Sequence, residues 1–238
     1  MPWDVWLIFL VLGVVVPWRG RVRLRQLLAK PSVGAAERIS LYVSTIAFQW
    51  LAAGVAGWRA WAHGFHAAEL GLVMNNRWTI ALVSIVGAAV IATLQWLNLR
   101  RIGRLGARAP ELLKALAERI LPQSILEMPS FFGLAVTAGV CEEFIYRGFA
   151  MAAFTRAGLP AWSVILVSSA LFGLAHLYQG RGGFLSTMIL GALFGLTRIG
   201  YDSLVPVILW HIAVDIVAGL AGPRYLRRAG VSAVESAT

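Results

Sequence analysis

Long stretches of this chain carry no charge at all, and that feature constrains its fold more than any other. Residues 39–58 and 79–99 are uncharged runs rich in apolar side chains. At 1.5 Å rise per residue, about 20 helical residues cross a hydrocarbon core about 30 Å thick. Residues 157–175 form a third uncharged run, and 182–197 and 203–214 are shorter apolar ones. Residues 5–16 make a short run bracketed by Trp3, Trp6 and Trp18, which suit the two membrane interfaces. The flank MPWD has no basic stretch, so this run reads as an anchor and not as a cleaved signal peptide. Residues 128–154 complete the set but carry Glu142, Glu143 and Arg147 near their middle. The expectation is an all-α polytopic membrane bundle of about seven transmembrane helices.

Composition agrees. Hydrophobic residues make up 59% of the chain and charged residues 13%, against roughly 25% charged in a soluble domain. Soluble enzymes, disordered chains, collagens and disulfide scaffolds are excluded, and the single Cys141 cannot form an internal disulfide. The net charge of +10 could mark a nucleic-acid binder, but its placement gives another cause. Sixteen of the 21 Lys and Arg residues fall in residues 19–38, 100–122, at 181 and in 224–228. These segments alternate onto one side of the membrane, the pattern of cytoplasmic loops. The expected partner is the bilayer, with no nucleic acid. The N-terminus is expected outside and the C-terminus in the cytoplasm. Arg-for-Lys usage and abundant Ala, Gly and Val point to a bacterial plasma (inner) membrane.

The expected organisation is a three-span N-terminal segment (1–120), a four-span core (121–222) and a basic, polar tail (223–238), structureless from Gly230. Residues 19–34 read as a loop with a surface-lying stretch. Residues 110–121 show apolar positions at helical spacing and read as an amphipathic helix on the cytoplasmic face.

Ionisable side chains within spans are costly and mark function by default. Six stand out: Glu142, Glu143, Arg147, His176, His211 and Asp215. Glu143 and Arg147 are i,i+4 with the acid first, the favourable order for a helical ion pair. Glu142 points about 100° away and has no cation on its own helix, which leaves it as the carboxylate able to act as general base. His211 and Asp215 are also i,i+4, so the acid can orient the imidazole. Together these groups could activate a water and stabilise an oxyanion. Of the other polar residues, His63 and His66 lack a third metal ligand nearby. Cys141 reads as a small core residue, and Gly191, Gly195 and Gly200 read as helix-packing positions.

The runs CEEFIYRGF (141–149), FGLAH (172–176) and HIAVD (211–215) carry EExxxR, FxxxH and HxxxD in that order. Over about residues 130–220 the chain resembles the CPBP family, the CAAX prenyl endopeptidase and abortive-infection group of intramembrane proteases. The resemblance implies peptide-bond hydrolysis of a membrane-anchored protein or peptide substrate. It makes Glu142 the water activator, with Glu143 and Arg147 in support. His176 and His211 become the polarising histidines, and Asp215 the partner of the second. Two departures are an expected seven spans, where relatives of the prenyl endopeptidase type have eight, and Asp215 where many members have Asn. Glu142, His176 and His211 could also ligate a catalytic divalent metal such as zinc, making an intramembrane metalloprotease. The glutamate-only mechanism is preferred, because Arg147 and Asp215 offer electrostatic support without a metal. Two other readings are a non-catalytic immunity or scaffold protein of the same fold and a proton-coupled transporter. The latter should show inverted repeats, and the sequence has none.

Overall fold

The computed structural model describes residues 1–105 and 110–235. In chain order the helices are α1 (Trp3–Leu28), α2 (Ala35–Ala62), α3 (Arg77–Arg104), α4 (Glu111–Ile120), α5 (Ile125–Arg156), α6 (Ala161–Ala175), α7 (Gly180–Tyr201) and α8 (Val205–Glu235). Six of them are long and apolar enough to cross a membrane, and α6 is a shorter apolar helix, close to the seven expected. Trp3, Trp58, Trp61, Trp78 and Trp162 stand exposed at the helix ends that meet on one side, an aromatic belt. Leu51, Leu82 and Ile85 are also exposed, as side chains facing lipid would be.

Two segments differ from the sequence reading. Residues 19–28 are the last turns of α1 and not a loop. Arginine is a good helix former, and its long stem lets the charge reach water from a helix that has not yet ended. A π-helical turn at Val11–Val15 precedes Pro17, which cannot donate a helical hydrogen bond to Gly13. At the other end of the chain, α8 continues to Glu235 through most of the expected structureless tail; residues 236–238 lie outside the described ones. The amphipathic stretch is α4 as expected, with Ala117 buried. Arg119 donates to the carbonyls of Leu27 and Lys30 and so fastens α4 to the end of α1.

The starts of α2 and α5 are joined by a buried ion pair. Arg38 Nε lies 2.6 Å from one oxygen of Glu127, and Arg38 Nη2 lies 3.1 Å from the other. The backbone N–H of Gln123 and the hydroxyl of Ser124 donate to the same carboxylate. A buried charge pair is tolerable only when its remaining lone pairs are satisfied in this way.

The loop between α2 and α3 dips into the bundle. Leu204 N donates to the carbonyl of Gly71, and Leu72 pairs with Ser203 as an isolated antiparallel bridge. Gly71 has φ +70°, and a Cβ there would strike the Arg198 guanidinium, so both backbone and space require glycine. Arg198 Nη2 in turn donates to the carbonyls of Ala68 and Glu69. The start of α8 is thereby recessed below the loop.

Arg156 clamps the same loop by donating to both oxygens of Glu69 and to the carbonyls of His63 and Gly64. The Arg156 guanidinium lowers the Glu69 carboxyl to about 2. A carboxylate held below its ordinary value stabilises the fold above that value, and the contribution fades as pH falls through the depressed one. The melting-temperature gap between the protein and Glu69→Gln should be full at neutral pH. It should narrow below about pH 4.5 and close near pH 2. Thermal unfolding in detergent across that range checks this, and a gap that stays constant contradicts it.

Candidate active site

The α5–α6 hairpin sets the level of the site. Glu142 lies 14 residues before Arg156 at the end of α5, and His176 lies 15 residues after Ala161 at the start of α6. At 1.5 Å per residue both stand about 21–22 Å from the connecting turn. The shortness of α6 is what ends it at His176 inside the bundle. The carboxylate Oε2 of Glu142 lies 4.0 Å from His176 Nε2. His176 Nδ1 is 3.0 Å from the carbonyl oxygen of Phe172. A carbonyl only accepts, so Nδ1 carries the proton and Nε2 is the atom presented to Glu142. The imidazole packs edge-on to Phe172 and stacks near Tyr178.

A second cluster lies behind the first. Glu143 and Arg147 are fully buried, and Arg147 Nη1 donates to Glu143 Oε1 over 3.0 Å, the i,i+4 pair expected. His211 Nδ1 donates to the same oxygen over 2.7 Å. Arg147 sits 4.2 Å from the ring centroid of Phe172 and 5.6 Å from that of Phe194, cation–π contacts that strengthen when water is excluded. The residues from Phe144 to Ala150 form a π-helical turn, a feature frequent at functional sites. Gly191 makes room for the arginine, since a Cβ there would lie 2.6 Å from Nη2. A Cβ at Gly195 would press on Ile165, while Gly200 faces open space, so that position serves no close packing.

The carboxylate that orients His211 is therefore Glu143, and not Asp215 as the i,i+4 spacing implies. Asp215 Oδ2 stands 3.7 Å from His211 Nε2, beyond hydrogen-bond range. The cause is the α5–α8 contact one turn earlier. A Cβ on Gly139 would lie 2.5 Å from Ile212 Cγ1 and 3.1 Å from the Ile208 carbonyl oxygen. That bare position lets the two helices touch, and Glu143, four residues on, meets His211. The recessed start of α8 supplies the matching depth.

The six residues thus fall into two groups. Glu142 and His176 line a cavity of about 260 Å³ between α1, α2, α5 and the end of α6. Glu143 and Arg147 form the buried support, which holds His211 by its Nδ1, with Asp215 at its edge. Phe172 links them, its ring centroid 4.7 Å from that of His176 and 5.8 Å from that of His211. Sequence reasoning missed Gln49, whose Nε2 donates to Glu142 Oε1 over 2.6 Å. It is a polar side chain within an apolar span, and a search for ionisable residues alone passes over it. His63 sits outside the site against Asp4 and Arg59, and Cys141 is buried in the core.

Among the described residues no three His, Cys, Asp or Glu side chains converge as a metal's ligands. Two tetrahedral zinc ligands about 2.0–2.1 Å from the metal stand about 3.3–3.4 Å apart, less than the 4.0 Å between Glu142 and His176. Glu142, His176 and His211 as arranged do not fit a shared metal.

No curated relative and no solved structure matches the chain. Residues 124–217 match the family model described as type II CAAX prenyl endopeptidase Rce1-like, a stretch that contains all six of these side chains but not Gln49. That stretch of the chain is similar to this prenyl endopeptidase family, in line with the likeness read from the three motifs.

Proposed function

We propose that the protein is an intramembrane endopeptidase in which Glu142 activates the attacking water. The observation that carries this reading is the division of labour at Glu142. Gln49 holds Oε1, and Oε2, buried with no hydrogen-bond partner, faces His176 Nε2 at 4.0 Å. That separation lets one water touch both groups. Glu142 accepts a proton from the water as its oxygen bonds to the peptide carbonyl carbon. The tetrahedral oxyanion is stabilised by the N–H groups of histidines in their protonated form. The proton held by Glu142 then passes to the amide nitrogen as the C–N bond breaks, leaving a free carboxylate and a free amine. His176 has its Nδ1 fixed by the Phe172 carbonyl. His211 has its Nδ1 fixed by Glu143, whose charge Arg147 balances, so its Nε2 is the atom left for substrate, with Asp215 beyond it.

The placement of arginine and lysine supports an N-terminus outside and a C-terminus in the cytoplasm, and the Arg-for-Lys usage with abundant Ala, Gly and Val supports a bacterial inner membrane. The substrate in this reading is a membrane-anchored protein or peptide. Comparison of new C-termini in membranes carrying the wild type and Glu142→Gln tests the reading. Fragments present only with the wild type are expected, and identical fragment sets overturn it.

The donors do not converge on a metal, so the chemistry is assigned to side chains. Activity should survive exhaustive chelation. Loss on chelation, with recovery on adding stoichiometric zinc, would replace the oxyanion role of the histidines with ligation.

A further inference from the structure

The cavity that holds Glu142 and His176 is also lined by two arginines from outside the family-matched stretch, Arg19 and Arg23 of α1. They stand one helical turn apart, where like charges repel. Among the described residues neither has a carboxylate partner within ion-pair distance. Arg23 Nη2 donates to Ser44 Oγ over 2.8 Å, and the Arg19 guanidinium lies 4.9 Å from the centre of the Phe48 ring. Both contacts are on α2, the helix that carries Gln49. Arg19 is exposed and Arg23 partly buried, so the two side chains bridge the α1–α2 groove at the mouth of the cavity. Gly20 between them faces Tyr178, which keeps this face of α1 turned toward the His176 end.

We propose that Arg19 and Arg23 form a subsite for an acidic side chain of the substrate, occupied while the scissile bond lies at Glu142. The proposal rests on the endopeptidase reading and adds a specificity to it. The rest of the cavity wall is largely apolar, so the ligand is an apolar peptide segment bearing one carboxylate. Ser44 precedes Gln49 by five residues, about 7.5 Å along α2. An extended peptide advances about 3.3 Å per residue. The acidic residue therefore lies two or three residues from the cleaved bond. A planar guanidinium matches a carboxylate with two parallel hydrogen bonds, and two of them at one site discriminate against the neutral amide of the same shape.

The test uses the full chain in nanodiscs of zwitterionic lipid and apolar peptides that differ only in Asp or Asn two or three residues from the cut. Each peptide is made with a free and with an amidated C-terminus. The expected kcat/KM ratio of Asp to Asn is about tenfold or more with either terminus. It should fall to near one in Arg19→Gln/Arg23→Gln and be largely kept in Arg19→Lys/Arg23→Lys. Peptide binding to Glu142→Gln, read by fluorescence anisotropy, should show the same preference and the same loss when the arginines are replaced. A ratio near one in the wild type, or one unchanged by the glutamines, overturns the subsite. A preference seen only with the free C-terminus assigns the pair to the chain terminus. Loss of the preference on adding anionic lipid assigns it to a headgroup. Either result also overturns the side-chain assignment. If the wild type cuts no peptide at all, the endopeptidase reading fails, and the binding comparison still decides the subsite on its own.

Discussion

Glu142→Gln is expected to leave the folded yield and melting temperature unchanged or slightly higher while turnover falls by about 10²–10⁴, the usual loss for a general base. Glu142 has no Arg or Lys partner among the described residues; its contacts are Gln49 and, at 4.0 Å, His176. The glutamine is nearly isosteric and can still accept from Gln49, so the packing of α2 on α5 is kept. Removing a partly buried carboxylate that has no Arg or Lys partner removes a desolvation penalty. Activity goes because the neighbouring acid, Glu143, already accepts from Arg147 and His211. The cavity itself is unchanged, so the variant should retain substrate in a pull-down. Yield, melting temperature and cleavage measured on one preparation check all three outcomes.

Glu143→Gln should fail in a different way. Arg147 is completely buried, and Glu143 is its one carboxylate partner among the described residues. Breaking a buried pair by removing one member leaves an uncompensated charge, at about 3–5 kcal/mol. The cation–π contacts to Phe172 and Phe194 cannot replace the missing anion. His211 also loses the ionised acceptor that fixes its ring. Glu143→Gln should therefore lose folded protein and thermal stability together with activity. Glu143→Gln/Arg147→Met removes both charges and should recover much of the yield without recovering cleavage. Denaturation in detergent separates the variants. If Glu143→Gln folds normally and is inactive while Glu142→Gln keeps more than about a tenth of its activity, the base is Glu143.

The helices that carry the site were legible because the membrane imposes a simple rule on sequence. Uncharged runs of sufficient length must be helices, and charges within them must find partners. The Glu143–Arg147 pair follows from i,i+4 spacing alone. The His211–Asp215 spacing misled, because the nearest acid in sequence was not the nearest in space. A contact between helices at Gly139 brought Glu143 closer, and nothing within α8 signals that contact. Residues 19–28 misled for a related reason. Arginines mark the side of a membrane on which they lie, but do not end a helix. Gln49, Arg19 and Arg23 lie outside the diagnostic motifs, and only the packing of α1 and α2 against α5 and α6 brings them to Glu142. The common depth of Glu142 and His176 could have been read in advance by counting 14 and 15 residues on either side of the α5–α6 turn.

The most direct test of the central claim is peptide hydrolysis in H₂¹⁸O by the purified protein in proteoliposomes, with wild type and Glu142→Gln normalised to folded protein. Water activation by Glu142 predicts that the wild type cuts a membrane-anchored peptide to give a free amine and a new C-terminal carboxylate containing ¹⁸O, and that Glu142→Gln gives no such product. Cleavage by both proteins at similar rates, or none by the well-folded wild type on peptides released from its own membranes, would contradict it.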